Sequence, residues 1–148
     1  MPDRNVQIVT RFFEDICNGR KLEAADELFA ANHTYHDPSN PWVGPGPEGM
    51  KQLTAAYHNA FGDARWSMDE VLVAGDTVVT RWTGRGTHSG DLQGLAPTRN
   101  SVEVKGIWMH RIANGKIVES WNVWDTMGMM HQLGVLKTTG RAGTGGRT

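Results

Sequence analysis

Apolar residues in the first half of the chain recur every three or four positions, a spacing that predicts helices. The first stripe consists of Val6, Val9, Phe12, Phe13 and Ile16. We expect Asp3 to cap this helix and Gly19 to end it. A shorter helix follows, with its apolar side formed by Leu22, Ala25, Leu28 and Phe29. Residues 38–49 hold four of the six prolines, which indicates a loop, and the last of them, Pro47, is well placed in the first turn of a third helix.

Beyond Arg65 the pattern changes to one that is typical of strands. Four segments rich in Val, Ile, Thr and Trp are predicted as strands, at residues 66–74, 77–88, 100–112 and 116–125. Gly75-Asp76 and Asn114-Gly115 are turn signals between them. Residues 31–36 form a brief extended piece, and a last short helix is expected at about 126–133. Helices followed by a meander of antiparallel strands indicate an α+β fold, with the helices on one face of a curved sheet.

The Asn114-Gly115 turn allows the two strands that it joins to be aligned. A two-residue turn places Ala113 opposite Lys116, and the pairing then continues outward in step. The expected opposite pairs are Trp108 with Trp121, His110 with Glu119, and Val104 with Asp125. Because opposed residues share a face, Asp125 should lie on the inner, more apolar face and Trp124 on the outer one. A β-bulge in either strand would reverse this arrangement for the residues beyond it.

Length and charge narrow the class of protein. The 148 residues suit one domain, and a net charge of −1 provides no basic field for nucleic acid.

The single cysteine, Cys17, excludes an intramolecular disulfide, and we expect it to be a packing residue. With no apolar run long enough for a membrane span and no signal-peptide pattern, a cytoplasmic protein is expected. Residues 1–136 should form one domain, and the Gly-, Thr- and Arg-rich residues 137–148 a disordered tail.

Asp125 is the first candidate for chemistry, because it ends an apolar strand that carries two tryptophans. In a closed apolar pocket, desolvation raises the pKa of a carboxyl group and makes it a better proton acceptor. Asp125 could instead cap the last short helix, since Asp is favoured at that position. The sequence leaves both interpretations open, and they are compatible.

The histidines are the next candidates. His88 is either an ordinary loop residue or a polar partner at the mouth of a cavity, where an imidazole can shuttle protons. His33, His36 and Asp37 raise the question of a metal, but the spacing fits no known metal motif. In a strand His33 and His36 point to opposite faces, so one should line a pocket and the other be solvated. The predicted cross-strand pair of His110 and Glu119 is either an ordinary, partly buried ion pair or hydrogen bond, or a support that orients other side chains around the pocket.

Aromatic residues supply the remaining candidates. Trp82, Trp108 and Trp121 are either core residues or the walls of a pocket for a flat, apolar ligand. Tyr35 and Tyr57 could supply phenolic hydrogen bonds to a developing enolate. The chain contains no Gly-x-Gly-x-x-Gly, Walker loop or Gly-x-Ser-x-Gly elbow, so a nucleotide-dependent enzyme is not expected.

Taken together, the motifs from about residue 5 to residue 136 resemble the SnoaL-like polyketide cyclase family of the nuclear-transport-factor-2-like (NTF2-like) superfamily. The stretches that carry the resemblance are His36-Asp37-Pro38, Gly44–Gly49, Gly75-Asp76, Arg81–Gly90, Gly94–Thr98, Arg111–Glu119 and Asp125–Gly134. Their order and spacing are specific for the family and much less specific for a reaction.

The resemblance implies a cone, in which a curved antiparallel sheet and N-terminal helices surround a deep pocket. It implies a homodimer and a cofactor-free, metal-free intramolecular aldol condensation of a small apolar or aromatic substrate. Asp125 would be the general base and acid, with His88 as its polar partner. The substrate-binding residues would be Tyr35, His36, Trp82, Trp108, His110 and Trp121. The alternatives are a cofactor-independent hydroxylase of the same family and a non-catalytic protein that binds a small ligand.

Overall fold

The computed structural model describes residues 2–136, with side chains from residue 4 onward. Its helices are α1 (Pro2–Arg11), α2 (Ala25–Leu28), α3 (Gly46–Ala60) and α4 (Thr126–Leu133). A π-helical segment, Phe12–Asn18, prolongs α1, and a 3₁₀ turn, Leu22–Ala24, leads into α2. All the predicted helices are therefore confirmed. The Asp3 cap and the predicted tail fall outside the described side chains and residues.

Five strands form one mixed, unclosed sheet. They are β1 (Phe29–His36), β2 (Arg65–Ala74), β3 (Thr77–Thr87), β4 (Ser101–Ala113) and β5 (Lys116–Trp124), in the order β1-β5-β4-β3-β2. The pairs of β2 through β5 are antiparallel as predicted, whereas β1 runs parallel to β5. Asn114 and Gly115 both have positive φ, 53° and 77°, as a type I′ hairpin turn requires. The α+β prediction is confirmed.

The helices cover the concave face of the sheet. Phe12, Phe13 and Ile16 of the π-helical segment are at most 1% exposed and belong to the same core as Trp108 and Ile117 on the sheet. Burial of such large apolar side chains is the main favourable contribution to folding. Among the described helices, none combines the length and the apolar character needed to cross a membrane.

A β-bulge in β5 changes the predicted pairing with β4. Next to the turn, Ala113 pairs with Lys116 and Ile112 with Ile117, as expected, but Arg111 pairs with Glu119. Val118 is therefore an extra residue, and every pair beyond it is displaced by one position. The predicted pairs Trp108–Trp121, His110–Glu119 and Val104–Asp125 are wrong. The inward residues of β5 beyond the bulge are Ser120, Asn122 and Trp124, and the outward ones are Glu119, Trp121 and Val123.

Candidate active site

A cavity of about 90 Å³ lies between the concave face of the sheet and α3. Four indole rings supply much of its wall, those of Trp66, Trp82, Trp108 and Trp124. Tyr35 also lines it, so the cavity contains three of the residues that the sequence predicted to bind substrate; that role stays a prediction. Pockets for drug-sized ligands measure about 300 Å³ or more, so this cavity is several times smaller. A larger ligand therefore requires part of the wall to move.

Glycine on β4 makes room for one of these rings. A Cβ atom on Gly106 would lie 2.6 Å from Cζ2 of Trp82 and 2.6 Å from Cβ of Trp124. These distances are far shorter than van der Waals contact, so any larger residue would displace the rings. The Trp82 indole consequently packs directly on the β4 backbone and narrows the cavity.

A continuous chain of hydrogen bonds runs along the β1 and β5 side of the cavity. Tyr35 donates its hydroxyl proton to Asp37 Oδ2 at 2.5 Å and accepts a bond from Asn122 Nδ2 at 3.3 Å. Asn122 Oδ1 in turn accepts a bond from Trp82 Nε1 at 3.3 Å. The second N–H of the Asn122 carboxamide has no protein partner among the described residues and is free to bind a ligand oxygen.

Asp37 is a buried carboxylate directly behind the cavity wall, and it is only 6% exposed. Besides Tyr35, its donors are Asn40 Nδ2 at 2.9 Å, Trp124 Nε1 at 3.2 Å and the Ser39 N–H at 2.8 Å. A buried charge is tolerated only when such donors satisfy its oxygens. Tyr35, Asn40 and Trp124 also line the cavity, so Asp37 communicates with it through three wall residues.

Asn40 links Asp37 to a second group of side chains. It is 2% exposed, and its Oδ1 accepts bonds from Tyr57 Oη at 3.1 Å, Gln93 Nε2 at 2.9 Å and Trp42 Nε1 at 3.3 Å. Three donors on the oxygen leave only one orientation for the carboxamide. Its Nδ2 is thereby directed at Asp37.

Burial sets the protonation state of the other groups in the wall. It raises the pKa of Tyr35, and the hydrogen bond and charge of Asp37 raise it further. Burial likewise raises the pKa of Tyr57 to about 12 and raises that of the Cys17 thiol, which also lines the cavity. At neutral pH both phenols and the thiol are therefore protonated, and Cys17 is not a thiolate nucleophile.

Asp125 lies outside this cavity. Because of the bulge it does not share the inner face with Trp108; it is exposed and accepts a hydrogen bond from the Gly128 N–H at 2.8 Å. Asp125 is the N-cap of α4, as the second interpretation of the sequence proposed. A Cβ on Gly128 would lie 2.2 Å from Asp125 Oδ2, so glycine gives the capping carboxylate its space.

His36 and Trp121 lie on the convex face of the sheet, not in the cavity. Their rings stack with centroids 5.2 Å apart, and His36 Nε2 contacts Glu119 Oε2 at 2.7 Å. Glu119 also accepts a bond from Arg111 at 2.8 Å, so the predicted His110–Glu119 pair does not form. The prediction that His33 and His36 face opposite sides is confirmed, but placing His36 in the pocket wall was wrong.

His88 is fully buried and does not line the cavity. Its Nδ1 accepts a bond from the Thr98 N–H at 3.0 Å, and its ring packs near Phe61 with centroids 5.5 Å apart. His88 therefore holds the base of the segment between β3 and β4. The predicted place at the cavity mouth is not where the structure puts it.

Two more histidines are buried behind Trp108. The His110 ring stacks on Trp108 with centroids 4.8 Å apart, and neither of its nitrogens has a hydrogen-bond partner among the described residues. His33 Nε2 contacts Ser120 Oγ at 2.8 Å, but its Nδ1 has no such partner. Burial lowers the pKa of His33 to about 4 and that of His110 to about 3. Both are neutral core residues at pH 7, and His110 does not line the cavity.

Sequence comparison identifies the family. The sequence model of the SnoaL-like polyketide cyclase family matches residues 7–133 of the chain. The protein belongs to the SnoaL-like polyketide cyclase family. No functionally curated protein is significantly similar to it in sequence.

Solved structures of similar fold agree with this membership. TsrD from Streptomyces laurentii is 26% identical, with a TM-score of 0.81 over 92% of this chain and 98% of that one. IdmH from Streptomyces antibioticus, proposed to be a polyketide cyclase, is 31% identical, with a TM-score of 0.74 over 88% and 99%. AclR from Streptomyces galilaeus, proposed to be a hydroxylase, is 20% identical, with a TM-score of 0.80 over 93% and 100%, and shows the fold alone. The fold of this family member is NTF2-like.

Sequence reasoning did not single out Asp37 as an acid–base residue. It named Asp37 beside His33 and His36 in a possible metal cluster, and in the His36-Asp37-Pro38 stretch that carries the family resemblance. The local signal was present, since Asp37-Pro38-Ser39 forms a turn in which the Asp side chain accepts the Ser39 N–H. Its burial, however, depends on Trp124, which lies 87 positions further along the chain.

Proposed function

We propose that this protein is an acid–base enzyme that enolises an apolar aromatic ketone, as required for an intramolecular aldol cyclisation. One observation carries the proposal: the hydrogen bond from Tyr35 Oη to Asp37 Oδ2 at the wall of an aromatic cavity. In this role Asp37 and Tyr35 replace Asp125 and His88. Family membership supports the reaction class.

The geometry suits removal of a proton from the carbon next to a carbonyl group. The free N–H of Asn122 binds the carbonyl oxygen, while Tyr35 Oη faces the neighbouring C–H. The oxygen and that hydrogen are three bonds apart, which fits a donor and an acceptor separated by 3.3 Å. Preorganised donors of this kind stabilise the negative charge that develops on an enolate oxygen.

The proton moves by relay. As the C–H bond breaks, its proton passes to Tyr35 Oη and the phenolic proton passes to Asp37 Oδ2. The enolate carbon then attacks a second carbonyl of the same molecule, a C–C bond forms, and the proton returns through Tyr35 to the new alkoxide. The raised pKa of Tyr35 suits this role, because it disfavours accumulation of a phenolate at pH 7.

Exchange of hydrogen for deuterium tests the proposal without knowledge of the natural substrate. We expect the protein to accelerate exchange at the α-carbon of 2-tetralone, a bicyclic aromatic ketone, in D₂O monitored by NMR. Tyr35→Phe and Asp37→Asn should each lower the exchange rate by roughly 100-fold or more, a typical contribution of a positioned acid–base group. Circular dichroism verifies that both variants fold.

Asp125→Asn is the matched control, because Asn is also a good N-cap and the residue lies outside the cavity. It should retain full exchange. The proposal is wrong if Asp37→Asn keeps a rate within tenfold of the unmodified protein, or if Asp125→Asn loses it. Oxygen consumption coupled to product formation would indicate a hydroxylase instead, and tight binding without exchange would indicate a ligand-binding protein.

A further inference from the structure

The segment between β3 and β4 carries a tight turn next to the cavity. Leu92 and Leu95 exchange two backbone hydrogen bonds, of 2.9 and 2.8 Å, and Asp91 Oδ2 accepts the Gly94 N–H at 2.9 Å. The two central residues have positive φ, 47° for Gln93 and 94° for Gly94. Positive φ is common for Gly but uncommon for Gln, and such strained residues persist only where the surroundings hold them.

Two contacts attach this turn to the rest of the molecule. The Leu92 side chain is 4% exposed and belongs to an apolar cluster with Phe61 and Met129, which themselves line the cavity. Gln93 Nε2 donates to Asn40 Oδ1 at 2.9 Å. Among the residues that the structure describes, this is the only hydrogen bond between residues 91–97 and the rest of the chain.

The ends of the segment, in contrast, are firmly held. The Ser89 and Gly90 N–H groups both donate to the Ala60 carbonyl, at 2.9 and 3.0 Å, and the His88 N–H donates to the Asn100 carbonyl at 2.9 Å. A Cβ on Gly90 would lie 2.0 Å from the Asn59 carbonyl oxygen, so only glycine allows this close approach to α3. A turn with fixed ends and one polar contact is suited to move as a unit.

We propose that residues 91–97 are a lid over the cavity and that Gln93 is a positioning residue which couples closure of the lid to Asp37. When the lid is closed, the Gln93 N–H is one of the three donors that orient the Asn40 carboxamide. That carboxamide holds Asp37 through its Nδ2 at 2.9 Å. None of residues 91–97 lines the cavity itself, but opening the lid withdraws Leu92 from Phe61 and Met129, the wall residues that then move aside to admit substrate. Closing restores the orientation of the proton acceptor. The coupling to Asp37 rests on the proposed function, whereas the lid itself does not.

The single cysteine of the chain provides a measurement of lid opening that needs no ligand. Cys17 is 6% exposed and lines the cavity, so a small neutral thiol reagent, methyl methanethiosulfonate, reaches it faster when the cavity opens. Loss of one hydrogen bond shifts an equilibrium by roughly two- to tenfold. We therefore expect Gln93→Ala to accelerate modification of Cys17 by that factor. Mass spectrometry measures the rate of modification. Gln52→Ala, which truncates an exposed glutamine on α3, should leave the rate unchanged.

The coupling to Asp37 predicts a separate effect on turnover. In the 2-tetralone assay, Gln93→Ala should lower kcat by roughly two- to tenfold while KM stays the same or falls. Gln93→Lys supplies a donor of similar reach and should restore most of kcat, which a merely structural effect would not do. Urea denaturation verifies that neither variant loses global stability.

The possible results separate the two proposals. Equal rates of Cys17 modification in Gln93→Ala and the unmodified protein would overturn the lid. Faster modification with unchanged kcat would overturn the coupling to Asp37. Faster modification together with no exchange activity in the unmodified protein would retain the lid and reject the proposed function.

Discussion

Acidification from pH 7 to pH 5 should destabilise this protein strongly, because two histidines are buried where they cannot accept protons. Burial lowers the pKa of His33 to about 4 and that of His110 to about 3. In the unfolded chain both titrate near about 6.5. Below that pH the unfolded state binds protons that the folded state excludes, so stability is complete above about pH 6.5 and decreases as the pH falls.

The magnitude follows from the difference between the two states. One pKa unit corresponds to about 1.4 kcal/mol, so at pH 5 each histidine removes about 2 kcal/mol and the pair about 4 kcal/mol. That is a large part of the ~5–15 kcal/mol typical of a domain. His58 acts in the same direction, since burial also lowers its pKa. Carboxyl groups with lowered pKa values, such as that of Asp63, lose their contribution only at lower pH.

Urea denaturation between pH 7 and pH 5 measures this effect directly. His110→Phe replaces the ring by one of similar shape that cannot be protonated, so its loss of stability over this range should be smaller by about 2 kcal/mol. At pH 7 the substitution removes two buried nitrogens without partners, so little destabilisation is expected. His131→Gln, at an exposed position of α4, is the control and should behave as the unmodified protein. Identical pH dependence in His110→Phe and the unmodified protein would refute the reasoning.

Three further predictions concern packing, capping and assembly. Gly106→Ala should lower the free energy of unfolding by about 1–3 kcal/mol, measured in urea titrations, because the added Cβ would overlap the Trp82 ring. An unchanged free energy of unfolding would contradict this tight packing and show that the ring moves freely. Asp125→Ala should cost about 1 kcal/mol through loss of the cap and Asp125→Asn much less, so equal losses would argue against capping. We propose that two copies pair through the convex face of the sheet, where Val123 is 67% and Ile107 50% exposed, so Val123→Glu should yield monomers in light scattering. A monomeric unmodified protein, or a similar effect of Leu72→Glu at the edge strand, would contradict this interface.

The secondary structure could be predicted because local signals marked it. Asn114-Gly115 forms the tight turn that its two residues predict. The change to a strand pattern at Arg65 likewise coincides with the first residue of β2. The parallel pairing of β1 was not predictable in the same way. It joins residues 29–36 to residues 117–121, far apart in the chain and with no turn between them to set their direction.

The site was less predictable than the fold, and one residue accounts for much of the error. Val118 is a β-branched residue in a run of strand-forming residues, with no glycine to mark a bulge. Without the bulge, Trp121 and Asp125 would have faced inward as expected. Trp82 and Trp108 line the cavity because β3 and β4, which carry them, pair without interruption, whereas the pairing of β1, which carries Tyr35, shifts between Phe29 and Thr34.

The bulge at Val118 also determines how the strand tolerates a change of length. Removing the Val118 codon would delete the unpaired residue itself, so the ladder would become regular while Arg111 still pairs with Glu119 and both Asn122 and Trp124 still face the cavity. A homologue that is one residue shorter at this point can therefore keep the same cavity wall. Alignments of the family consequently need a gap placed by three-dimensional register before any cavity residue is compared between members.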